Sequence, residues 1–402
     1  MAAPTQLSTT LIHHPYRAPE GFSSPQVAVH KASTVLFPDV AALRQRDWKD
    51  KTGYTYGLHG TPTTFTLEER IATLEGGLQT LLLPSGLAAI ALVDLALLRA
   101  GDEVLIPDNA YGPGKELARS ELAKWGVSHR FYDPSVPQSL ADMIGATTRL
   151  VWFEAPGSVT MEFPDLAVLL KVAKSRGVTC AIDNTWGSGI AFNAFSVNDV
   201  DGSTIGADVV MQALTKYPSG GGDVLMGSVT TREPDLHLRL KSTHMRMGWG
   251  VGANDAEAVL RALPSLELRY AAQDAAARQL ARWLRARPEI AQVLHPALDG
   301  SPGHDHWKRA CRSAAGLFSV VFAERYSSDQ VDAFVNGLRL FKLGYSWAGP
   351  LSLVVPYNLA ILRGKAKGAG MLVRFSIGLE APEDLIADLD GALSRAFSAS
   401  VG

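Results

Sequence analysis

The stretch QALTKYPSGGGDVLMGSV, residues 212–229, sets Lys216 between an apolar run and a cluster of glycines. A lysine at the end of a buried strand is costly to keep charged, so it must be paired, exposed or committed to chemistry. Three other positions raise the same kind of question. In VTCAIDNTWG, Asp183 follows an apolar strand directly, where a desolvated carboxylate needs a cation or hydrogen-bond donors. In LLLPSGLAAIA, a strand-like run ends at Ser85-Gly86 and a helix opens, offering backbone N–H groups and the positive end of a helix dipole to a phosphate. In DNAYGPGKE, Tyr111 stands in the loop after the strand DEVLIP, where its ring can face a crevice. Each has an ordinary reading when taken singly: a paired lysine, a turn residue, a strand-to-helix turn, a packing aromatic.

The elements that would hold these residues follow an alternating pattern. Helices are expected over 64–75, 86–99, 112–125 and 165–176, and strands over 102–107, 129–133, 149–155, 178–183, 208–214 and 224–231. Apolar strands alternating with amphipathic helices imply an α/β fold with a mostly parallel sheet covered on both faces. Ligands bind such sheets at the carboxyl ends of the strands, where the four residues gather. Past residue 255 the pattern changes to a long helical stretch over 254–287. Shorter strands follow at 292–294, 316–323 and 370–377, with helices near 328–338 and 382–397. Three parts are expected: an arm over 1–60, a large domain over 61–255 and a smaller C-terminal α/β domain over 256–402. The arm carries GYTYGLHGTPTT, with Tyr56 free to reach a neighbouring chain, and helical periodicity only around 38–49.

Bulk properties narrow the function classes. The chain has 402 residues, 47% hydrophobic and 19% charged, and a formal charge of −2. It can bury a large core, and it lacks the basic footprint of a nucleic-acid or anionic-membrane binder. Two cysteines, Cys180 and Cys311, without CxxC spacing give no disulfide framework and no thiolate metal site. The first residues carry polar groups and prolines rather than an unbroken apolar run, and the apolar stretch 81–98 is broken by Pro84, Ser85, Gly86 and Asp94. Neither a secretory signal nor a membrane span is expected, and a cytoplasmic location fits. A plain Rossmann nucleotide site is disfavoured because no GxGxxG follows the first strand.

A lysine, an aspartate, a helix-opening Ser-Gly and a loop tyrosine at strand ends of one sheet meet the needs of one cofactor, pyridoxal 5'-phosphate. Its aldehyde takes a lysine amine, its ring nitrogen a carboxylate, its phosphate backbone donors and its ring a stacked aromatic.

The sequence also resembles, over nearly its whole length, the transsulfuration family of pyridoxal-phosphate enzymes of cysteine and methionine metabolism. The matching stretches, in the family's order, include YTYGLHGTPT, LEGG, PSGLAAI, AYGPGKE, FEAPGSVTMEFPDL, AIDNTWGSG, ALTKYPSGGGDVLMGSV, RALPSLELR, GYSWAGPLSL and VRFSIGLE. PGSVTME, GYSW and the 295–322 segment look most like the family's cystathionine β-lyase branch. The resemblance implies a fold-type I, transferase-like architecture. By position, Lys216 matches the Schiff-base lysine, Asp183 the ring-nitrogen partner and Tyr111 the stacking tyrosine. Ser85, Gly86, Leu87 and Thr215 match the phosphate site. Tyr56 matches a tyrosine that reaches the adjacent subunit's cofactor, which implies a homo-oligomer, usually a dimer of dimers. Arg374 matches the arginine that holds the substrate α-carboxylate, while Tyr345, Ser346 and Trp347 line the substrate pocket. Two positions depart from the pattern: Leu58 stands where relatives commonly carry an arginine toward the neighbour's phosphate, and Ala213 lacks a hydroxyl many relatives have.

The implied activity is β-elimination on a small amino-acid substrate, L-cystathionine, with other cysteine S-conjugates and cystine in view. Lys216 is the expected proton carrier. Tyr111 is a candidate base for the incoming amine, with neighbouring positive charge expected to lower its pKa. The γ-synthase or γ-lyase type of chemistry on the same fold is the alternative, and ligand binding without catalysis a third reading.

Overall fold

The computed structural model describes residues 6–13, 16–17, 19–364 and 370–397. Part of the arm, residues 1–5, 14, 15 and 18, lies outside them. The described arm holds two short helices, α1 (Leu7–Ile12) and α2 (Val40–Gln45), and a 3₁₀ turn (Gly57–His59). It is tied to the body where Thr63 donates to Ala28 O and accepts from His30 N–H, both at 2.8 Å.

The body then alternates as its apolar pattern requires. In order come α3 (Pro62–Glu75), β1 (Gln79–Leu83), α4 (Gly86–Leu97), β2 (Glu103–Pro107), α5 (Gly112–Leu117) running into a π-helical turn (Ala118–Leu122), β3 (Ser128–Tyr132), α6 (Pro137–Met143), β4 (Thr148–Glu154), α7 (Leu166–Ser175) and β5 (Thr179–Asp183). A two-residue hairpin, β6 (Val197–Asn198) and β7 (Thr204–Ile205), precedes β8 (Val209–Gln212), β9 (Gly227–Thr231) and α8 (Pro234–Met247). α3 starts cleanly because Thr61 and Thr64 form a capping box ahead of Pro62, and it stops at Gly76, which takes the left-handed conformation (φ 74°) with little steric cost.

The seven strands lie in the order β1-β9-β8-β5-β4-β2-β3. β2, β3, β4, β5 and β8 pair in parallel, while β9 runs antiparallel to both β8 and β1. Their Val, Leu and Ile residues are buried on both faces, the condition under which a parallel sheet is stable. Register brings Glu154 opposite Asp183 and Asp183 opposite Met211, so the ends of β4, β5 and β8 are level. That shared edge forms the floor of the site.

The expected helix over 254–287 is two helices. α9 (Ala253–Ala262) and α10 (Leu266–Arg285) are separated by a 3₁₀ turn (Leu263–Ser265) around Pro264, whose ring cannot continue an α-helix. α9 buries Ala256, Val259 and Leu260 with Leu67 and Ile71 of α3, while α10 sets Tyr270 against Trp186 and Tyr217 and only from Ala276 onward joins the core of the second sheet. Beyond it a second sheet has the order β10-β11-β14-β13-β12, formed by β10 (Ile290–Leu294), β11 (Leu317–Phe322), β12 (Lys342–Leu343), β13 (Leu353–Asn358) and β14 (Met371–Ser376). The helices α11 (His304–Ala310), α12 (Ser328–Asn336), α13 (Leu359–Arg363) and α14 (Pro382–Phe397) complete the chain. Phe318, Phe375, Leu389 and Leu393 anchor the core under α10, α12 and α14. No helix of the described residues is long and apolar enough to cross a membrane.

Candidate active site

Lys216 lies four residues past β8, in a turn; the strand expected over 208–214 stops at Gln212. Its N–H bonds to Ala213 O and its carbonyl accepts from Gly220 N–H, both at 3.0 Å. Thr215 N–H donates to Met226 O at 3.1 Å, which folds residue 226 back over the turn and delays the start of β9. The amine of Lys216 donates to Ser346 Oγ at 2.7 Å and stands 5.4 Å from the centre of the Trp347 ring. Burial pushes its pKa down to about 8, Arg374 adds to the fall and Asp183 opposes it.

Arg374, on β14, is 8% exposed. It donates to Ser346 O at 3.3 Å, its guanidinium lies 5.8 Å from the Tyr357 ring centre, and its Nε is buried with no partner among the described residues. An orphaned, desolvated guanidinium edge is an incomplete carboxylate site. Ser346 (φ 80°), Val159 (φ 72°) and Met161 (φ 59°), which line the cavity, and Ala348 (φ 69°) beside it are four non-glycine residues in the left-handed region. The 157–161 loop is held in that shape by Met161 N–H to Gly157 O and by Ser319 Oγ to Val159 O, and strain retained this way is typical of binding sites.

Asp183 is part-buried at the end of β5. Burial raises its pKa, against which Thr185 donates from both its hydroxyl and its N–H, the latter at 3.0 Å, and Lys216 adds a favourable charge. At the next strand end, Ser85 caps α4 by accepting from Ala88 N–H at 3.0 Å. The N–H groups of Gly86 and Leu87 precede it and have no intrahelical partner. Gly86 is required here: a Cβ would come within 2.7 Å of Ala213 Cβ.

These residues surround one cavity of about 500 Å³, lined among others by Ser85, Gly86, Leu87, Tyr111, Asp183, Thr215, Lys216, Tyr345, Ser346, Trp347 and Arg374. Eleven of the twelve sequence candidates are thus brought together. Tyr56 is the exception: it stands outside the cavity of its own chain, 47% exposed, with its ring edge-on to His59. Leu58 and His59 border a separate groove with Trp48, Lys241 and His244. The Thr215 hydroxyl already bonds Met226, accepting from its N–H at 3.0 Å and donating to its carbonyl at 3.2 Å.

One expectation is overturned. Tyr111 does not have a lowered pKa: burial raises it, and the two charged groups acting on it, Asp183 and Glu154, are both acids. Its phenol keeps its proton. Glu154 itself escaped notice in the sequence, although FEAPGS places it at the end of a buried strand next to the one carrying Asp183. Thr185 also went unmarked, yet its hydroxyl joins Asp183 to the Ala213 N–H, 3.0 Å away.

A buried acid, a low-pKa lysine, uncommitted helix-opening N–H groups and a ring-bearing tyrosine around one cavity form the chemical set that a phosphorylated pyridine aldehyde requires, so the residues fit pyridoxal phosphate. The comparisons agree. A family model described as Cys/Met metabolism PLP-dependent enzyme matches residues 8–394. A cystathionine beta-lyase of Bordetella avium is 38% identical over 397 residues, covering 96% of this chain and 97% of its own. Cystathionine beta-lyase MetC of Escherichia coli K12 is 34% identical over 375 residues, covering 91% and 93%. Among solved structures, cystathionine gamma synthase from Xanthomonas oryzae pv. oryzae, in complex with aminoacrylate and cysteine, has a TM-score of 0.84 at 30% identity, covering 98% of this chain and 99% of that one. The chain belongs to the pyridoxal-phosphate-dependent enzymes of cysteine and methionine metabolism and has their fold-type I architecture.

Proposed function

We propose that the protein is a carbon–sulfur lyase that performs β-elimination on L-cystathionine, yielding homocysteine, pyruvate and ammonia. The observation that carries this reading is the double tether at Ser346, whose hydroxyl holds the Lys216 amine and whose carbonyl holds Arg374. An α-carboxylate gripped by Arg374 brings the substrate Cα to the amine that must take its proton. Asp183, Tyr111 and the N–H groups of Gly86 and Leu87 would hold the cofactor's ring nitrogen, ring face and phosphate. Bound pyridoxal phosphate supplies the electron sink that makes loss of the Cα proton feasible. Lys216, whose lowered pKa of about 8 leaves half of its amine unprotonated at that pH, takes that proton and returns one to the departing thiolate sulfur. Trp347 covers the amine and limits its contact with water. Tyr56, exposed in this chain, completes the neighbour's site in a homo-oligomer.

A broader substrate class is favoured by a second observation. The lining of the cavity includes the apolar residues Ile90, Pro113, Val159, Leu225 and Leu362, and its only cations among the described residues are Lys216 and Arg374. Cysteine thioethers with apolar tails fit such walls.

The test is the keto acid released from L-cystathionine and from S-benzyl-L-cysteine by purified enzyme. Pyruvate from both supports the reading; 2-oxobutyrate from cystathionine shows γ-chemistry and overturns it. Lys216→Ala abolishes turnover and the visible absorbance of the bound cofactor, and retention of both would contradict the assignment of Lys216.

A further inference from the structure

We propose that Glu154 is a positioning residue of the cofactor site: one carboxyl fixes the main chain of Tyr111 and stands beside Asp183, so that the ring-facing tyrosine and the acid for the ring nitrogen are set from a single side chain. Glu154 closes β4 and Asp183 closes β5, and the two are register partners. Both line the cavity with Tyr111. Glu154 Oε2 accepts from Tyr111 N–H at 2.7 Å. The other end of that residue is held by α5, because Tyr111 O accepts from Gly114 N–H at 3.1 Å and Lys115 N–H at 3.2 Å. Tyr111 therefore has both of its backbone polar groups pinned while its side chain is left half-exposed to the cavity.

A part-buried carboxyl next to another acid is an expensive way to satisfy one amide, since an apolar residue with a nearby water would cost less. Burial first and then Asp183 raise the Glu154 pKa well above the carboxylate range, against the opposing pull of the Tyr111 N–H and of Lys115 on α5. Lys115 is itself held away by its bond to Asp108 O at 2.6 Å and is repelled by Arg363. A protonated Glu154 still accepts from Tyr111 and leaves Asp183 as the single negative charge for the ring nitrogen. This inference rests on the reading of the cavity as the pyridoxal phosphate site but not on the identity of the sulfur substrate.

Two variants separate reach from charge. Glu154→Gln keeps the acceptor and its length and loses the ionisable group; Glu154→Asp keeps the acid and is one methylene short of the Tyr111 N–H. Holoenzyme of each is resolved of cofactor and titrated with pyridoxal phosphate, with no substrate present, following affinity and the induced circular dichroism of the visible band. Glu154→Gln is expected to stay within about threefold of the parent Kd with an unchanged dichroic band. Glu154→Asp is expected to bind about tenfold more weakly, the size of one hydrogen bond, with a diminished band. Thermal unfolding of the cofactor-free proteins reports any purely structural loss. A Glu154→Asp protein with parental affinity and dichroism, or a Glu154→Gln protein as impaired as Glu154→Asp, overturns the proposal. Cofactor binding and keto-acid release fail separately, so a wrong substrate assignment leaves this result intact.

Discussion

The Lys216 amine and the Ser346 hydroxyl are 2.7 Å apart, and the serine offers its oxygen from a left-handed backbone, φ 80°. A free lysine side chain samples many rotamers, and this contact selects one that faces the carboxylate-binding Arg374. Removing the acceptor releases that selection without touching any group assigned to the cofactor's ring or phosphate. Ser346→Ala is expected to lower kcat about tenfold, or ~1.4 kcal/mol of barrier, while pyridoxal phosphate binds as before. Steady-state kinetics beside a cofactor titration checks this, and an unchanged kcat would show that the lysine is aimed by packing alone.

The amine must be unprotonated both to capture an aldehyde and to accept a proton. Burial and the Arg374 charge lower the Lys216 pKa from 10.5 to about 8. The second-order rate of pyridoxal phosphate capture by cofactor-free protein should therefore rise with pH about a midpoint near 8. Arg374→Gln removes a repelling charge and moves that midpoint upward. Stopped-flow absorbance gives both values; a parent midpoint at the ordinary lysine value would mean that solvent reaches the amine freely.

The N-terminus of α4 gives a third expectation. A Cβ at Gly86 would lie 2.7 Å from Ala213 Cβ, so the helix start or the 213–216 turn must shift. Either movement displaces the N–H groups of Gly86 and Leu87 relative to Lys216. Gly86→Ala should weaken pyridoxal phosphate binding by about tenfold or more, with most of the loss recovered when phosphate-free pyridoxal is compared between parent and variant. Equal losses for both ligands would place the damage at the lysine instead.

Much of this site was legible because its residues close apolar strands. Lys216, Asp183 and Tyr111 each follow a run whose composition marks it as buried, and a polar group at such a boundary must have a partner. Ser85-Gly86 was legible for another reason, as the opening of a helix. Arg374 and Ser346 carried no such mark: they are more than 120 residues from Lys216 in sequence, and only the pairing of β14 with β11 and β13 and the approach of the second sheet bring them to it. Their roles came from resemblance. Glu154 was hidden by its own strand, where one acid after RLVWF reads as a strand terminus, and its partnership with Asp183 is a matter of register between β4 and β5, which no local pattern encodes. The split of the 254–287 helix was marked by Pro264, but what each helix packs against was not: α9 lies on α3, and α10 runs from Trp186 and Tyr217 to the core of the second sheet. The electrostatics of Tyr111 misled because its phenol is desolvated and the charged groups acting on it are acids, while Arg374 acts on Lys216 instead.

Behind the site, Glu75 ends α3 almost completely buried, with Oε2 accepting from Asn184 Nδ2 at 2.8 Å and Oε1 without a partner among the described residues. Burial raises its pKa from 4.5 to about 8, the Asn184 hydrogen bond opposes the rise, and the neighbouring Asp183 adds to it. The folded protein therefore binds this proton more tightly than the unfolded chain does. The linked stability is fully present below pH 4.5 and is lost as pH rises toward about 8, beyond which the loss is complete. Glu75→Gln retains the shape and the acceptor for Asn184 and cannot ionise, so its stability does not carry this term. In urea unfolding of the cofactor-free proteins, the variant's midpoint should climb relative to the parent's as pH is taken from about 5 to 8. A difference that stays constant over that range would mean that Glu75 ionises in the folded protein much as it does in water, and that a cation or solvent reaches the buried carboxyl.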